Sequence, residues 1–319
     1  MHTVQEVRRR ILESAYIEGI TNNKDNLSER LKIKKSTVDY ALQKLKEEGY
    51  FVKTKYDIDL NLLGVGKFAW VFVRVNLENY DSEKFVGKIL ELTPVISVSE
   101  ITGNRDIAIK VFGPSISYIS SFVLGLEKLF QGTITNVYIF YANHDYKHHY
   151  LKVQNKKIYK ANKIDCMIMS EKTKDPQISL VEIADKHNLH RNSVSKRWKK
   201  IWKEGVIIKE IPDLTQKGYE EIKMGLKAFI VIKPVPGKEE IIIKELMGEK
   251  EVQDIFFTMQ NEIIVIVRTE NSHSLILEHR KLAKIGSAVS HTTTSIFLTK
   301  YNKNYLSLKE MRSLVSQCE

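Results

Sequence analysis

Apolar residues recur at helical spacing in two separate stretches of the chain, KKSTVDYALQKLKEEGYFV from Lys34 and HRNSVSKRWKKIWKEGVII from His190. In the first stretch, Val38, Leu42 and Leu45 lie at i, i+4 and i+7, which places them on one face of a helix. Both stretches run for the same length into a Glu-Gly pair and an apolar, strand-like segment. A short amphipathic segment precedes each one, DNLSERLKI in the first case and ISLVEIADKHNL in the second. Two helices joined by a short turn, with basic and hydroxyl residues outward on the second helix, predict a helix-turn-helix at each place.

The repetition continues beyond these helices. When Gly49 is aligned with Gly205, 156 positions away, ITGNRDIAIKV falls on FTMQNEIIVIV. After the first helix-turn-helix, β-branched and aromatic runs alternate with amphipathic ones in the order KFAWVFVRVN, SEKFVGKILELTP, VISVSEITG, DIAIKVF, SISYISSFVLGLEKLF and TITNVYIFY. The same order returns after the second. This pattern predicts a β-α-β-β-α-β ferredoxin-like domain twice.

The predicted fold class is therefore α+β, with two winged-type helix-turn-helix domains and two ferredoxin-like domains in tandem. The expected boundaries are residues 1–56 and 151–217 for the helix-turn-helix domains, the second with a basic linker, and 57–150 and 218–319 for the ferredoxin-like domains.

Three stretches resemble the Lrp/AsnC (feast/famine) transcription regulators. They are LKEEGYFVKTKYDIDLNLLG, ITGNRDIAIKV and KIDCMIMSEKTKDPQISLVEIA, and the resemblance covers nearly the whole chain, twice over. The family often opens its recognition helix with Ser-Pro, whereas this chain has Lys34-Lys35 and His190-Arg191. The second repeat also lacks the turn glycine of Gly103, because Met259 stands there. The resemblance implies a cytoplasmic, sequence-specific DNA-binding regulator with a ferredoxin-like (RAM) effector domain.

The first turns of such a recognition helix face base edges in the major groove. In the first copy, the residues expected there are Lys34, Lys35, Ser36, Thr37, Asp39, Tyr40 and Gln43, with Lys44 on a phosphate. In the second copy, they are Arg191, Asn192, Ser193, Ser195 and Lys196, with Arg197, Lys199 and Lys200 on phosphates. Arginine binds guanine and asparagine binds adenine in a bidentate way. A solvated helix face that only packs is the alternative for either copy. The second copy is the more basic, with Glu204 as the only acid from His190 to Glu204.

The turn Gly103-Asn104-Arg105-Asp106 is the candidate effector site. The resemblance implies an amino acid or another small molecule there, with Arg105 pairing a carboxylate and Asp106 an ammonium. A plain hairpin turn, with glycine supplying a positive φ, is the equal alternative.

Charge and cysteine content add two expectations. The net charge of +11 and the pI of about 9.3 favour a polyanionic partner. The two cysteines, Cys166 and Cys318, show no metal-ligand spacing and no disulfide framework, so a reducing cytoplasm is expected. We expect no membrane span and no signal peptide.

Candidate catalytic and metal motifs are sparse. GVGKFA at Gly64 precedes a predicted strand and does not open a helix, so it does not fit a phosphate loop. His144, His148 and His149 lie close in sequence, but a fourth zinc ligand is not apparent. They fall in a basic stretch between the repeats that is expected to be a solvated connector or a spacer touching phosphates. We therefore expect no metal and no cofactor.

Three functions stay open from the sequence. The leading one is a DNA-binding regulator that is not an enzyme, with duplex DNA as partner. One chain then acts as an intramolecular pseudo-dimer, and two chains are held together by NYLSLKEMRSLVSQ at residues 304–317. The second is an enzyme similar to the siroheme decarboxylases, which resemble the same two-domain fold. The third is a scaffold with vestigial helix-turn-helix units.

Overall fold

The computed structural model describes residues 4–22, 26–63, 67–152, 157–299 and 301–302. The chain divides into two compact units, and each unit takes residues from both sequence repeats. The helix-turn-helix unit comprises residues 1–64, 156–225 and 304–319, and the sandwich unit comprises 65–155 and 226–303. The domain boundaries predicted from the sequence stay predictions.

The helix-turn-helix unit contains two three-helix sets. The first consists of α1 (Val4–Ile17), β1 (Thr21–Asn22), α2 (Leu27–Leu31), α3 (Lys35–Glu47) and β2 (Phe51–Ile58). The second consists of α6 (Lys163–Lys174), α7 (Leu180–Lys186), α8 (Arg191–Lys203), β8 (Ile207–Leu214) and α9 (Gln216–Glu221). The apolar positions of the sequence pattern form the cores of these sets. Ile11, Leu27 and Val38 pack together in the first set, and Val194 and Ile201 are fully buried in the second.

The repeated Glu-Gly pair ends both recognition helices in the same way. Gly49 and Gly205 each have φ of +79°, a left-handed conformation that glycine adopts without a Cβ penalty. The next amide bonds back into the helix, from Tyr50 to the carbonyl of Leu45 and from Val206 to that of Ile201. This is a Schellman motif, and it directs the chain after each helix into a strand.

Those two strands join the halves of the helix-turn-helix unit. β2 pairs with β8 in an antiparallel ladder from Phe51 opposite Leu214 to Ile58 opposite Ile207, and β1 pairs with the other edge of β8. Across the ladder, Lys55 Nζ lies 2.5 Å from Asp213 Oδ1. The two helix-turn-helix sets are therefore linked by main-chain hydrogen bonds.

The sandwich unit contains two β-α-β-β-α-β sets, as the sequence predicts. The first set consists of β3 (Lys67–Val75), α4 (Ser82–Glu91), β4 (Val95–Glu100), β5 (Ile107–Gly113), α5 (Ile116–Leu129), β6 (Ile134–His148) and the short β7 (Leu151–Lys152). The second consists of β9 (Leu226–Pro234), α10 (Glu239–Met247), β10 (Val252–Thr258), β11 (Ile263–Thr269), α11 (Ser272–Lys284), β12 (Val289–Ile296) and the short β13 (Tyr301–Asn302). The α+β fold with two helix-turn-helix and two ferredoxin-like sets is confirmed.

The strands of this unit form one 10-stranded sheet in the order β12-β9-β11-β10-β6-β3-β5-β4-β13, with β7 on β6. The pairing of β6 with β10 connects the two halves. The chain after β12 returns to β4, where Leu298 N donates to Glu100 O at 2.8 Å. The two halves are thus hydrogen-bonded to each other at both edges.

Each half-sheet has two kinds of face. The outer face carries the helices, with Val71, Ile109 and Ile119 in the first apolar cluster and Ile230 and Val265 in the second. The inner faces of the two half-sheets, opposite the helices, contact each other through aromatic rings. Their side chains alternate with the outer ones along each strand, because successive strand residues point to opposite sides.

Aromatic rings from both repeats are in contact between the two half-sheets. The Phe229 ring lies 4.8 Å from Phe72 and 5.4 Å from Trp70, and the Phe256 ring lies 4.8 Å from Phe68 (ring centroids). All of these pairs are edge-on, the geometry that ring quadrupoles favour. The two sandwich repeats therefore bury one face against each other inside a single chain.

The segment from His144 onward was expected to be a connector, and the structure corrects the first part of that interpretation. β6 continues to His148 and pairs with β10 through bulges, with Ala142 opposite Thr258 and Lys147 opposite Ile255. The Lys147 ammonium donates to the carbonyl of Glu249 at 2.8 Å. Main-chain pairing with a neighbouring strand outweighs the polar composition of this segment.

The histidines of this segment contact a buried carboxylate. His148 Nδ1 lies 3.3 Å from Asp254 Oδ1, and the His149 amide donates to the same oxygen at 2.7 Å. Burial alone would raise the pKa of Asp254, but His148, the charge of Lys110 and the His149 amide together bring that pKa well below its usual range.

Replacing Asp254 with asparagine is expected to lower the free energy of unfolding by about 1–3 kcal/mol at pH 7, since a charged acceptor is lost. The folded-state pKa is depressed, so this stabilisation is present above the unfolded pKa of about 4 and is lost as the pH falls. Urea unfolding at several pH values measures both effects. The Asp254→Asn protein should lose less stability than the parent below pH ~5, and parallel losses in the two proteins would contradict the assignment.

Two further expectations concern the cysteines and the termini. Cys166 is buried on α6. Cys318 and the segment expected to hold two chains together, residues 304–317, lie outside the described residues. No helix in the described part of the chain is long and apolar enough to cross a bilayer.

Candidate nucleic-acid interface

The two predicted recognition helices are α3 and α8. In each set a three- or four-residue turn precedes the helix, and one turn residue adopts a left-handed conformation, Lys32 (φ +55°) before α3 and Asn188 (φ +52°) before α8. The preceding helix begins with a side-chain cap, Asn26 for α2 and the Ser179–Glu182 capping box for α7. The helix-turn-helix geometry therefore follows from local sequence signals.

The predicted contact residues on α3 lie on its outer side. Val38, Ala41 and Leu45 are buried beneath the helix. Seven of the eight predicted residues are exposed, namely Lys34, Lys35, Ser36, Thr37, Asp39, Tyr40 and Gln43, and Lys44 is half-buried.

Ion pairs within the protein neutralise charged side chains on the C-terminal half of this α3 face. Lys44 Nζ lies 2.7 Å from Glu47 Oε2, and Gln43 donates to Glu47 Oε1 at 3.0 Å. Arg8 of α1 pairs with Glu48 at 2.6 Å. The pKa of Glu47 is lowered by its hydrogen bonds from Lys44 and Gln43. Lys44 is thus engaged within the protein, which weakens its assignment to a phosphate.

On α8, six of the eight predicted residues are exposed, namely Arg191, Asn192, Ser193, Lys196, Lys199 and Lys200. Arg191 Nη2 lies 3.2 Å and 3.3 Å from the two carboxylate oxygens of Asp185 on α7. Lys196, Lys199 and Lys200 occur within two helical turns and point away from the buried Val194 and Ile201. This face presents the more concentrated positive charge of the two.

Arg197 was predicted to contact phosphate, and the structure corrects that role. Its Nε donates to Asp165 Oδ1 at 2.6 Å, and its Nη2 also binds Asp165 Oδ2. Asp165 on α6 is fully buried, so the guanidinium is turned inward. The sequence did not reveal this pair because its two residues lie on different helices.

Aromatic side chains fix the inner side of α8. Tyr56 of β2 makes edge-on contacts with Trp198 at 5.3 Å and Trp202 at 6.1 Å (ring centroids). Lys172 of α6 lies over the Trp198 ring, and its ammonium donates to the carbonyls of Pro176 and Ile178. A strand from the first repeat therefore packs directly on the recognition helix of the second.

The GNRD turn lies in the sandwich unit, against β12 of the other repeat. Gly103 has φ of +108°, and a Cβ there would lie 3.2 Å from Ser295 Oγ. Asp106 Oδ2 accepts the amide of Val75 at 2.9 Å. Asp106 therefore already binds the main chain through one carboxylate oxygen, and its assignment to a ligand ammonium stays a prediction.

Arg105 remains a candidate binding group at this turn. Its guanidinium carbon lies 4.7 Å from the Phe72 ring centroid, 4.9 Å from that of Phe140 and 5.0 Å from that of Tyr138. Its Nε is buried and has no hydrogen-bond partner among the described residues. Burial lowers the pKa of Arg105, whereas the charge of Glu262 raises it. Glu262 is the counterpart of Asp106 in the second repeat, and burial raises its pKa.

Replacing Gly103 with alanine is expected to destabilise the protein by about 1–2 kcal/mol, because an L-residue is strained in the left-handed region. Gly125 on the exposed face of α5 is the matched control, since a Cβ there meets nothing within 4 Å. Gly125→Ala should stabilise by about 0.5–1 kcal/mol. Thermal unfolding of both variants is the measurement, and shifts of the same sign would contradict the turn assignment.

The structure does not support the zinc hypothesis for the histidines near the end of β6, since His148 binds Asp254. Among the described residues, the carboxylates of Glu249, Glu251 and Glu278 each place an oxygen within 4.8 Å of the others, which is close enough to hold a metal ion. The Lys281 ammonium lies among these carboxylates, 2.7 Å from Glu278 and in contact with Glu249. This lysine supplies the positive charge there.

This architecture is similar to that of known proteins over nearly the whole chain. No protein-family model matches the chain. The siroheme decarboxylase NirDL aligns with a TM-score of 0.61 at 13% identity, over 97% of this chain and 98% of that one. NirDL in complex with an iron-uroporphyrin III analogue aligns with a TM-score of 0.59 at 14% identity, over 92% of each chain. This chain therefore shares the fold of NirDL over nearly its whole length.

A curated relative matches a smaller part of the chain. It is an uncharacterized HTH-type transcriptional regulator of Pyrococcus abyssi, 26% identical over 138 residues, which is 42% of this chain and 91% of the relative.

One functional expectation needs correction. The sequence was interpreted as that of a protein that is not an enzyme, yet the structure aligned over 97% of the chain is a decarboxylase. The exclusion of an enzyme is therefore wrong.

Proposed function

We propose that the chain is a sequence-specific DNA-binding transcription regulator of the Lrp/AsnC type, in which one chain acts as a pseudo-dimer in the cytoplasm. The observation that carries this proposal is the pair of exposed recognition helices, α3 and α8, joined through the β2–β8 ladder. In ordinary two-fold DNA-binding proteins, two such helices enter the major groove at half-sites about one helical turn or a multiple apart.

The chemistry of the two helices supports an asymmetric target. On α8, Arg191 and Asn192 are exposed in the first turn, where guanine and adenine edges are bound. On α3, Asp39 can accept from cytosine and Tyr40 can contact a thymine methyl group. Because the two helices differ at these positions, the two half-sites are expected to differ in sequence.

A small-molecule effector is part of the same proposal. Arg105, with its unpartnered Nε and three surrounding rings, is the group that would bind a carboxylate. Met259 replaces the turn glycine in the second repeat, so we expect at most one such site per chain. Calorimetry with single amino acids, on the parent and on Arg105→Ala, is the test. Heat that persists in the variant would exclude Arg105.

A siroheme decarboxylase-like activity is the second candidate. Besides the likeness to NirDL in fold, the sandwich unit contains the buried cations Lys227 and Arg268. An acidic tetrapyrrole substrate, with several carboxylates, requires cations of this kind.

Parallel measurements on one preparation separate the two candidates. A mobility shift with fragments of duplex DNA, followed by selection from random duplexes, tests the regulator. Visible absorption after addition of siroheme, with mass spectrometry for loss of carbon dioxide, tests the decarboxylase. A selected asymmetric motif supports the regulator, and failure to retard any duplex overturns it.

A further inference from the structure

An ion pair with a buried carboxylate holds the recognition helix α8 against α6. Asp165 on α6 is fully buried, and its carboxylate accepts hydrogen bonds from both Nε and Nη2 of Arg197. A carboxylate in such surroundings needs a charged partner and further hydrogen bonds. The pair therefore ties the middle of α8 to the opening helix of its own helix-turn-helix set.

Tyr159 completes this network from the segment between the repeats. Its hydroxyl donates to Asp165 Oδ2 at 2.9 Å and accepts from Arg197 Nη2 at 3.3 Å. Its amide donates to the carbonyl of Leu62 at 2.6 Å, in the segment that follows β2. Tyr159 thus contacts α6, α8 and the segment that follows β2 in the first helix-turn-helix set.

The first helix-turn-helix set has a different arrangement. At the 156-residue spacing of the repeats, Ala41 stands where Arg197 does, and Arg9 where Asp165 does. Ala41 is buried and carries no polar atom in its side chain. The ion pair that links α1 to the end of α3, Arg8 with Glu48, is partly exposed. Among the described residues, the first set therefore has no counterpart of the buried Asp165–Arg197 pair.

We propose that Arg197, Asp165 and Tyr159 are positioning residues that set the orientation of α8 on DNA. This inference rests on the proposed DNA binding. Arg197 acts through Asp165 and does not neutralise a phosphate, although it lies between the exposed Lys196 and Lys199. The network also connects α8 to Leu62, so the segment that leaves the first helix-turn-helix set takes part in orienting the recognition helix of the second.

Salt titration of duplex binding distinguishes positioning from phosphate contact. The full-length parent, Arg197→Ala and Lys199→Ala are titrated against the best duplex from selection and against a random duplex. Loss of one phosphate contact lowers the slope of log K against log salt by about 0.9. We expect that decrease for Lys199→Ala, with equal weakening on both duplexes. For Arg197→Ala we expect an unchanged slope and a roughly tenfold smaller preference for the selected duplex, comparable with losing one base contact.

Tyr159→Phe is a second variant that keeps the test valid if Arg197→Ala does not fold. It retains the Arg197–Asp165 ion pair and removes only one hydroxyl. It should remain folded, keep the parental slope and lose part of the preference. A slope lowered by Arg197→Ala would show a phosphate contact and overturn the inference. An unchanged preference in the folded variants would show a purely structural role and also overturn it. If the parent itself binds no duplex, the proposed function fails together with this inference, a result distinct from the other two.

Discussion

Replacing Arg197 with alanine is expected to lower the free energy of unfolding of the helix-turn-helix unit by about 3–5 kcal/mol. The reason is that Asp165 is fully buried and would lose its charged partner. Denaturant unfolding followed by the fluorescence of Trp198 and Trp202 reports on the same helix.

Lys199→Ala is the control for this experiment, because Lys199 lies two positions further along α8 and is exposed. Its effect should stay within about 0.5 kcal/mol. A loss below about 1 kcal/mol for Arg197→Ala would contradict a buried, paired Asp165.

Replacing Phe229 with alanine is expected to cost about 3–5 kcal/mol of unfolding free energy in the sandwich unit. Phe229 belongs to the second repeat, is 1% exposed and contacts Trp70 and Phe72 of the first. The substitution therefore opens a cavity between the two half-sheets and removes contacts that only the paired arrangement provides. Thermal unfolding, with Trp70 fluorescence as a local probe, measures the effect.

Leu124→Ala serves as the matched control, since Leu124 is 59% exposed on the outer face of α5. It should change the stability by less than about 0.5 kcal/mol. Equal effects of the two substitutions would contradict the packing of the two repeats against each other.

Local signals made most of the fold predictable. The recognition helices carry apolar residues at helical spacing, and the Glu-Gly endings at Gly49 and Gly205 follow from the conformational freedom of glycine. The strands of the sandwich have the β-branched and aromatic content that a two-sided buried sheet needs. The 156-residue repetition then predicted the second copy of each element.

Interactions between distant residues were not predictable. Asp165 and Arg197 are separated by 32 residues, and a basic helix surface gave no sign that one arginine turns inward. Asp106 resembles a ligand-binding acid in sequence, but its carboxylate bonds the amide of Val75. The extension of β6 to His148 depends on the edge that β10 offers, which the polar sequence of the segment does not encode.

The candidate site was therefore predictable as a surface and not as a set of individual roles. The exposure of Lys35, Asn192 and Lys196 follows from helix periodicity once the core positions are known. Which cations are engaged within the protein, as Lys44 is with Glu47, depends on neighbouring helices and rotamers.

The salt dependence of duplex binding by the full-length chain tests the central claim most directly. If the exposed cations of α3 and α8 meet phosphates, log K should fall linearly with log salt, by about 0.9 for each phosphate neutralised. Six such contacts would weaken binding roughly a thousandfold or more between 50 and 200 mM salt. Binding that does not change with salt, or no binding to duplex DNA even at low salt, would contradict the account.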